Sequence, residues 1–105
     1  MAAKAALALR AAEIIGERGS CKHRPEDSEG RVCLYRALTE VLKEAGMAEE
    51  YPHLEDLLVV QEMKEILRER GDRDWRSLSV WQDRDDITGE DVILLFKEAA
   101  ERLGS

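Results

Sequence analysis

Apolar residues recur at helical spacing in four stretches of this chain, separated by segments where that period disappears. The clearest stretch is 31–46, where Leu34, Ala37, Leu38, Val41, Leu42 and Ala45 form one stripe. Glu40, Lys43 and Glu44 occupy the opposite, wet face, and Gly46 supplies a stop. Residues 2–18 are rich in alanine, the best intrinsic helix former, and set Leu7, Ala11, Ile14, Ile15 and Arg18 on one face. A third helix is predicted over 54–70, with Leu57, Val60, Met63 and Leu67 joined by Val59 and Ile66 in a broad apolar face. Glu65 and Arg68 stand at i,i+3 spacing on its surface. The last helix has the strongest start signal. Thr88 is an N-cap, and Asp91 three residues later makes an acidic variant of the capping box. Val92, Leu95, Phe96, Ala99 and Leu103 then form its buried stripe.

The intervening segments read differently. Residues 20–30 form a polar loop with Pro25 and Gly30, whose ends suit a brief hairpin with 26–30 at the turn. Residues 47–53 are a connector, with Pro52 disfavouring helical angles at Tyr51. Within 71–87, the alternation at 77–81 puts Leu78 and Val80 on one side and Ser77, Ser79 and Trp81 on the other, which suggests a short extended piece. The predicted fold is all-α: a compact bundle of four main helices in a single small helical domain, 1–105, with a very short hairpin or extended segment near 21–33 or 77–81. The predicted core is Leu7, Ile14, Leu34, Leu38, Val41, Leu57, Met63, Leu67, Trp81, Leu95, Phe96 and Leu103.

Composition narrows the function classes. The net charge of −7, from 16 basic and 23 acidic side chains, argues against direct nucleic-acid binding, which needs a surplus of Lys and Arg to displace counterions. It suits solubility, a basic protein partner, or a mimic of nucleic acid. The only basic run, Arg10, Arg18, Lys22, His23, Arg24 and Arg31, is interleaved with Glu17, Glu26, Asp27 and Glu29. The apolar run 5–9 is too short for a signal peptide and Arg10 interrupts it, so no membrane segment and a cytoplasmic location are expected. In that compartment the two cysteines are expected reduced, although a Cys21–Cys33 disulfide would close the polar loop.

Chemistry has few candidates. Cys21, His23, Cys33 and His53 have the number and type for one tetrahedral zinc site, but their spacing matches no common zinc motif. Cys33 at the start of a helix, with His23 as base, is the one candidate nucleophile, and the sequence shows no third group to orient the base. Asp83, Asp85 and Asp86 lack the glycine and distal glutamate of a calcium loop. No phosphate loop or nucleophile elbow is present.

Three pieces in this order, ALRAAEIIGERG followed by Cys21, then GRVCLYRAL, then VWQDRDDITGEDVILLFKEAAERL, resemble an uncharacterised family of small proteins from actinobacteria and their phages. Cys21, Cys33, Trp81, Asp83 and Thr88 fall on that family's pattern, while Ser20, Arg36 and Gln82 replace its tryptophan, glycine and asparagine. The resemblance covers both ends of the chain and implies a phage or actinobacterial setting without an activity.

The expected function is therefore a non-enzymatic accessory module that binds another protein, in a phage setting a modulator or inhibitor of a host factor. It is expected to need no cofactor. Trp75, Trp81, Asp83 and Asp85 are the expected partner-binding residues, because exposed tryptophan is enriched at interface hot spots. The competing expectation for the tryptophans is that they plug a core edge. The rivals from other classes are a cysteine-centred site, as structural zinc or as a thiol enzyme, and an acidic nucleic-acid mimic. A homodimer through 75–81 is one arrangement open to a domain of this size.

Overall fold

The structure is a computed structural model and describes residues 2–104. Five α-helices follow in order: α1 (Ala2–Arg18), α2 (Leu34–Glu44), α3 (Leu58–Glu69), α4 (Leu78–Asp83) and α5 (Gly89–Gly104). Two single 3-10 turns, Ala48–Glu50 and Leu54–Asp56, lie between α2 and α3. The described residues contain no strand, and the expected all-α bundle of four longer helices is what forms.

Helices α1 and α5 make the most extensive contact in the fold; α2 packs on α1, and α3 on α5. Small residues allow the first pair to come close. Ala8, Ala11, Ala12, Ala99 and Ala100 are all buried along them. Gly16 lies opposite Ile93 and Gly104 opposite Ala5, so the pair runs antiparallel. Phe96, Ile15, Leu34, Leu38, Met63, Ile66, Leu67 and Leu95 fill the centre. Arg102 fastens α5 to α3 through Glu62 and Glu69, and Arg70 returns to Glu98.

Four sequence expectations shift. Helix α2 begins at Leu34, not Arg31, because Cys33 is extended (φ −80°, ψ 169°) and Val32 is drawn into the loop's backbone pairing. Helix α3 begins at Leu58, since Leu57 is extended after the turn Leu54–Asp56. The piece 77–81 is not extended. Ser77 caps α4 by accepting the Val80 N–H at 3.3 Å, and Leu78 and Trp81, three apart, share its buried face while Val80 is exposed. Leu7 and Leu103 are only half-buried, at the edge of the core.

The loop between α1 and α2 is pinned by single bridges, Ser20 with Val32 (parallel) and Glu26 with Val32 (antiparallel), which is less than a hairpin. Its tip is held by Asp27, whose carboxylate accepts the N–H groups of Glu29 and Arg31 at 3.0 and 2.9 Å. Gly19 turns the chain out of α1 at φ +86°, and a Cβ there would lie 2.9 Å from Arg31 Cγ.

Candidate functional site

The loop between α1 and α2, the first turn of α2 and the whole of α4 converge on one cleft. Lys22 fastens the loop to the end of α4. Its ammonium donates to the carbonyls of Gln82, Arg84 and Ile87 at 2.5, 2.7 and 2.7 Å. These carbonyls lie at and beyond the end of α4, where the helix provides no partner of its own. The anchor places His23 over Asp83. The His23 N–H donates to Asp83 Oδ1 at 3.0 Å and its Nδ1 faces Oδ2 at 3.4 Å. His23 has φ +65°, an uncommon backbone state for a residue with a side chain, and the double contact to Asp83 holds it there.

Gln82 is the buried member of the group, only 3% exposed. Its Oε1 accepts the Leu34 N–H at 2.6 Å. Cys33 caps the same helix, its Sγ accepting the Arg36 N–H at 3.3 Å. Together with Tyr35 and Ser79, the residues His23, Cys33, Gln82 and Asp83 line a cleft of about 430 Å³. Burial, with help from the hydrogen bond it donates to Glu55 at 2.5 Å, pushes the Tyr35 phenol up. Burial opposes ionisation of Glu55, but hydrogen bonds from Lys64 and Tyr35 carry that carboxyl below its usual range.

Cys21 lies beneath the loop, 6% exposed. Its thiol donates to the Arg24 carbonyl at 3.3 Å, and burial pushes it up. Both cysteines are free. His53 is exposed at the turn Leu54–Asp56 and does not line the cleft. The four residues Cys21, His23, Cys33 and His53 are thus not gathered, and among the described residues no three His, Cys, Asp or Glu side chains are grouped to hold a metal.

Of the residues expected to meet a partner, Trp81 is a core residue, 3% exposed, as its place in the expected core also required. Trp75 is half-buried against the core with the Arg76 guanidinium 4.9 Å from its ring centre. Asp83 is engaged by His23, and Asp85 is exposed. Arg84 sits among the neighbouring acids and binds Asp72, Asp74 and Asp86. Much of the basic run is similarly engaged: Arg10 by Glu17 and Glu44, Arg18 by Glu26, Arg31 by Asp27, Lys22 by its three carbonyls, while Arg24 is exposed and lines the cleft.

A second, apolar groove of about 600 Å³ runs on another side, between the start of α1, the turns after α2 and the start of α3. Leu7, Met47, Tyr51, Leu57 and Leu58 line it. Leu58 is 45% exposed. Tyr51 also borders a smaller hollow of about 260 Å³ with Leu42, Pro52 and Leu54. The sequence signal for this groove was the pair of apolar side chains Met47 and Tyr51, in a segment with no helical period.

Fold and surface define a small all-α protein with a polar cleft beside Cys33, a second polar hollow beside Cys21 and an apolar groove beside Leu58. The chain belongs to DUF6197, a family of unknown function, whose family model matches residues 1–102. No curated protein and no solved structure matches it. Among the described residues no helix is long and apolar enough to cross a membrane.

Proposed function

We propose that this protein is a non-enzymatic accessory module that binds a partner protein in the apolar groove beside Leu58. The observation that carries this reading is the groove itself: Leu7, Met47, Tyr51, Leu57 and Leu58 line one concave surface, with Leu58 turned half out to solvent. Concave apolar surfaces of this kind receive the apolar face of an amphipathic helix.

Charge defines the rest of the occupant. Lys4 and Asp56 both border the groove and offset each other, the adjoining turn carries the exposed Glu49 and Glu50, and the chain as a whole carries −7. The partner segment is therefore an apolar stripe flanked by Lys or Arg. The resemblance to small proteins of actinobacteria and their phages extends the proposal: the partner is a host factor, and the module modulates or inhibits it.

The test uses a labelled peptide with leucines at helical spacing and lysines elsewhere, titrated by fluorescence anisotropy. The wild-type protein binds it, and Leu58→Glu weakens binding by roughly tenfold or more, the loss of one buried leucine contact. A control peptide with glutamates in place of the lysines binds far more weakly. Equal binding by Leu58→Glu overturns the reading, as does a concentration-dependent dimer that buries Leu58 and excludes the peptide.

A further inference from the structure

Cys21 and Cys33 meet where the loop between α1 and α2 folds back on itself. The parallel bridge pairs Ser20 with Val32, so the next residues along, Cys21 and Cys33, are neighbours in register. Such neighbours in a parallel pair are about 5 Å apart at Cα and project to the same side. Two backbone bonds fix the register. The Cys21 N–H donates at 3.3 Å to the Val32 carbonyl, in the peptide group that leads into Cys33, and the Val32 N–H donates to the Gly19 carbonyl at 2.9 Å. A single carbonyl then joins the two cysteines. Pro25 O accepts the Cys33 N–H at 2.9 Å and lies 3.8 Å from the Cys21 sulfur.

We propose that Cys21 and Cys33, both free thiols in this structure, form a reversible disulfide that staples the loop between α1 and α2, with a small-molecule disulfide as the oxidant. A disulfide needs Cα atoms about 4.4–6.8 Å apart, a span the register already provides. Both thiols border space that a small molecule can enter. Cys33 lines the cleft of about 430 Å³, and Cys21, although 6% exposed, lines the polar hollow of about 520 Å³ beside it. The exposed Arg24 borders both and favours an anionic oxidant.

Oxidation breaks little. The Cys21 thiol gives up one bond, to the carbonyl of the exposed Arg24, where water can replace it. The Cys33 sulfur caps α2 as an acceptor, a role that a disulfide sulfur retains. The two sulfurs also act on each other in the reduced state: burial pushes the Cys21 thiol up, and Cys33 adds to it. Cys21 is therefore the poorer first nucleophile and suits the second step, in which nearness replaces reactivity.

The exchange balances with the oxidant alone. The Cys33 thiol loses its proton and its sulfur attacks one sulfur of RS–SR. The Sγ–S bond forms as the S–S bond breaks, and the departing RS⁻ takes up a proton as RSH. The Cys21 thiol then loses its proton and attacks Cys33 Sγ. The Sγ–Sγ bond forms, and the second RS⁻ leaves and is protonated in turn. The two cysteines lose two electrons, and RS–SR gains them as two RSH. The staple closes a loop of about a dozen residues, which restricts the unfolded chain. That loop carries Lys22 and His23 to α4, so the oxidised form holds it there more firmly.

Oxidised and reduced glutathione at set ratios are the probe, read by intact-protein mass spectrometry after acid quench and alkylation in denaturant. The folded protein loses two hydrogens in mass, keeps no glutathionyl group and resists alkylation at both cysteines. Peptide mapping recovers the Cys21–Cys33 cross-link. Half-conversion needs roughly tenfold or less of the oxidant ratio required by the same chain unfolded in urea, because the fold holds the thiols together. The oxidised form melts roughly 5 °C or more above the reduced form, and dithiothreitol reverses the shift. A stable glutathionyl adduct on one cysteine with the other still open to alkylation would overturn the proposal. So would a half-conversion ratio no lower than in urea, or a lower melting midpoint after oxidation.

Discussion

The side-chain oxygen of Gln82 accepts the backbone N–H of Leu34 at 2.6 Å, so the end of α4 caps the start of α2 from across the fold. The first N–H groups of any helix lack partners within it, and this one is buried. Cys33 satisfies a second orphan, the Arg36 N–H, with its sulfur. The helix that carries the clearest sequence pattern thus begins on two side chains that no local pattern announces.

Replacing Gln82 with Leu keeps the bulk and removes the acceptor. The Leu34 N–H is then buried without a partner, at a cost of about 1–3 kcal/mol. Urea unfolding reports this as a lower midpoint with an unchanged slope. Ser79→Ala, an exposed change in the same helix, stays within about 0.5 kcal/mol.

Lys22 makes a larger claim on the loop. Lys22→Met removes donors to three carbonyls and leaves the end of α4 to water. A loss of about 2–3 kcal/mol is expected. A variant as stable as wild type would show that the three contacts are incidental.

Two glycines near the end of α1 have opposite expectations. Gly19→Ala places a Cβ at φ +86° and 2.9 Å from Arg31 Cγ, and costs more than about 1 kcal/mol. Gly16→Ala lies in helix, meets Ile93 Cδ1 at an ordinary 3.9 Å, and gains about 0.5–1 kcal/mol. Thermal melts of the pair move in opposite directions.

Stability declines at both ends of the pH scale for different reasons. Burial and the bond to Glu55 hold the Tyr35 proton in the folded state past the point, near pH 10, where a free phenol loses it. The unfolded chain then releases that proton first, so the contribution is complete below about pH 10 and declines as pH rises from there. Tyr35→Phe removes this alkaline limb. At the acid end, hydrogen bonds from Arg10, Arg68, Arg102 and Arg84 hold Glu44, Glu65, Glu69 and Asp86 below the usual carboxylate range, Asp86 at about 2. Their contribution is present above the ordinary range, about pH 4, and fades as pH falls through the folded values. These pairs are surface-exposed, so the acid limb is shallow and salt flattens it. Chemical denaturation from pH 2 to 11 reads both limbs.

The longer helices were legible because their apolar residues keep a 3.6-residue period over three or more turns. Helix α4 was not, because six residues hold too few repeats: Leu78, Val80 and Trp81 fit an alternating pattern until Ser77 is seen to cap Val80 and Leu78 to share a face with Trp81. Trp81 was expected both in the core and at a partner surface, and it lies in the core. Cys33 and His23 could be named from sequence, but the Asp83 that faces His23 is sixty positions away, and only the fold brings it there. The apolar groove was hidden for a different reason. Its residues come from α1, a connector and α3, and none of these segments is unusual taken singly.

The most direct measurement is amide chemical-shift mapping of the ¹⁵N-labelled protein during titration with the leucine–lysine peptide. The proposed binding function predicts saturable shifts concentrated at Leu7, Met47, Tyr51, Leu57 and Leu58, absent in Leu58→Glu, with the cleft around Cys33 and His23 unmoved. Shifts scattered over the acidic surface, or centred on Trp75 and Asp85, would contradict it.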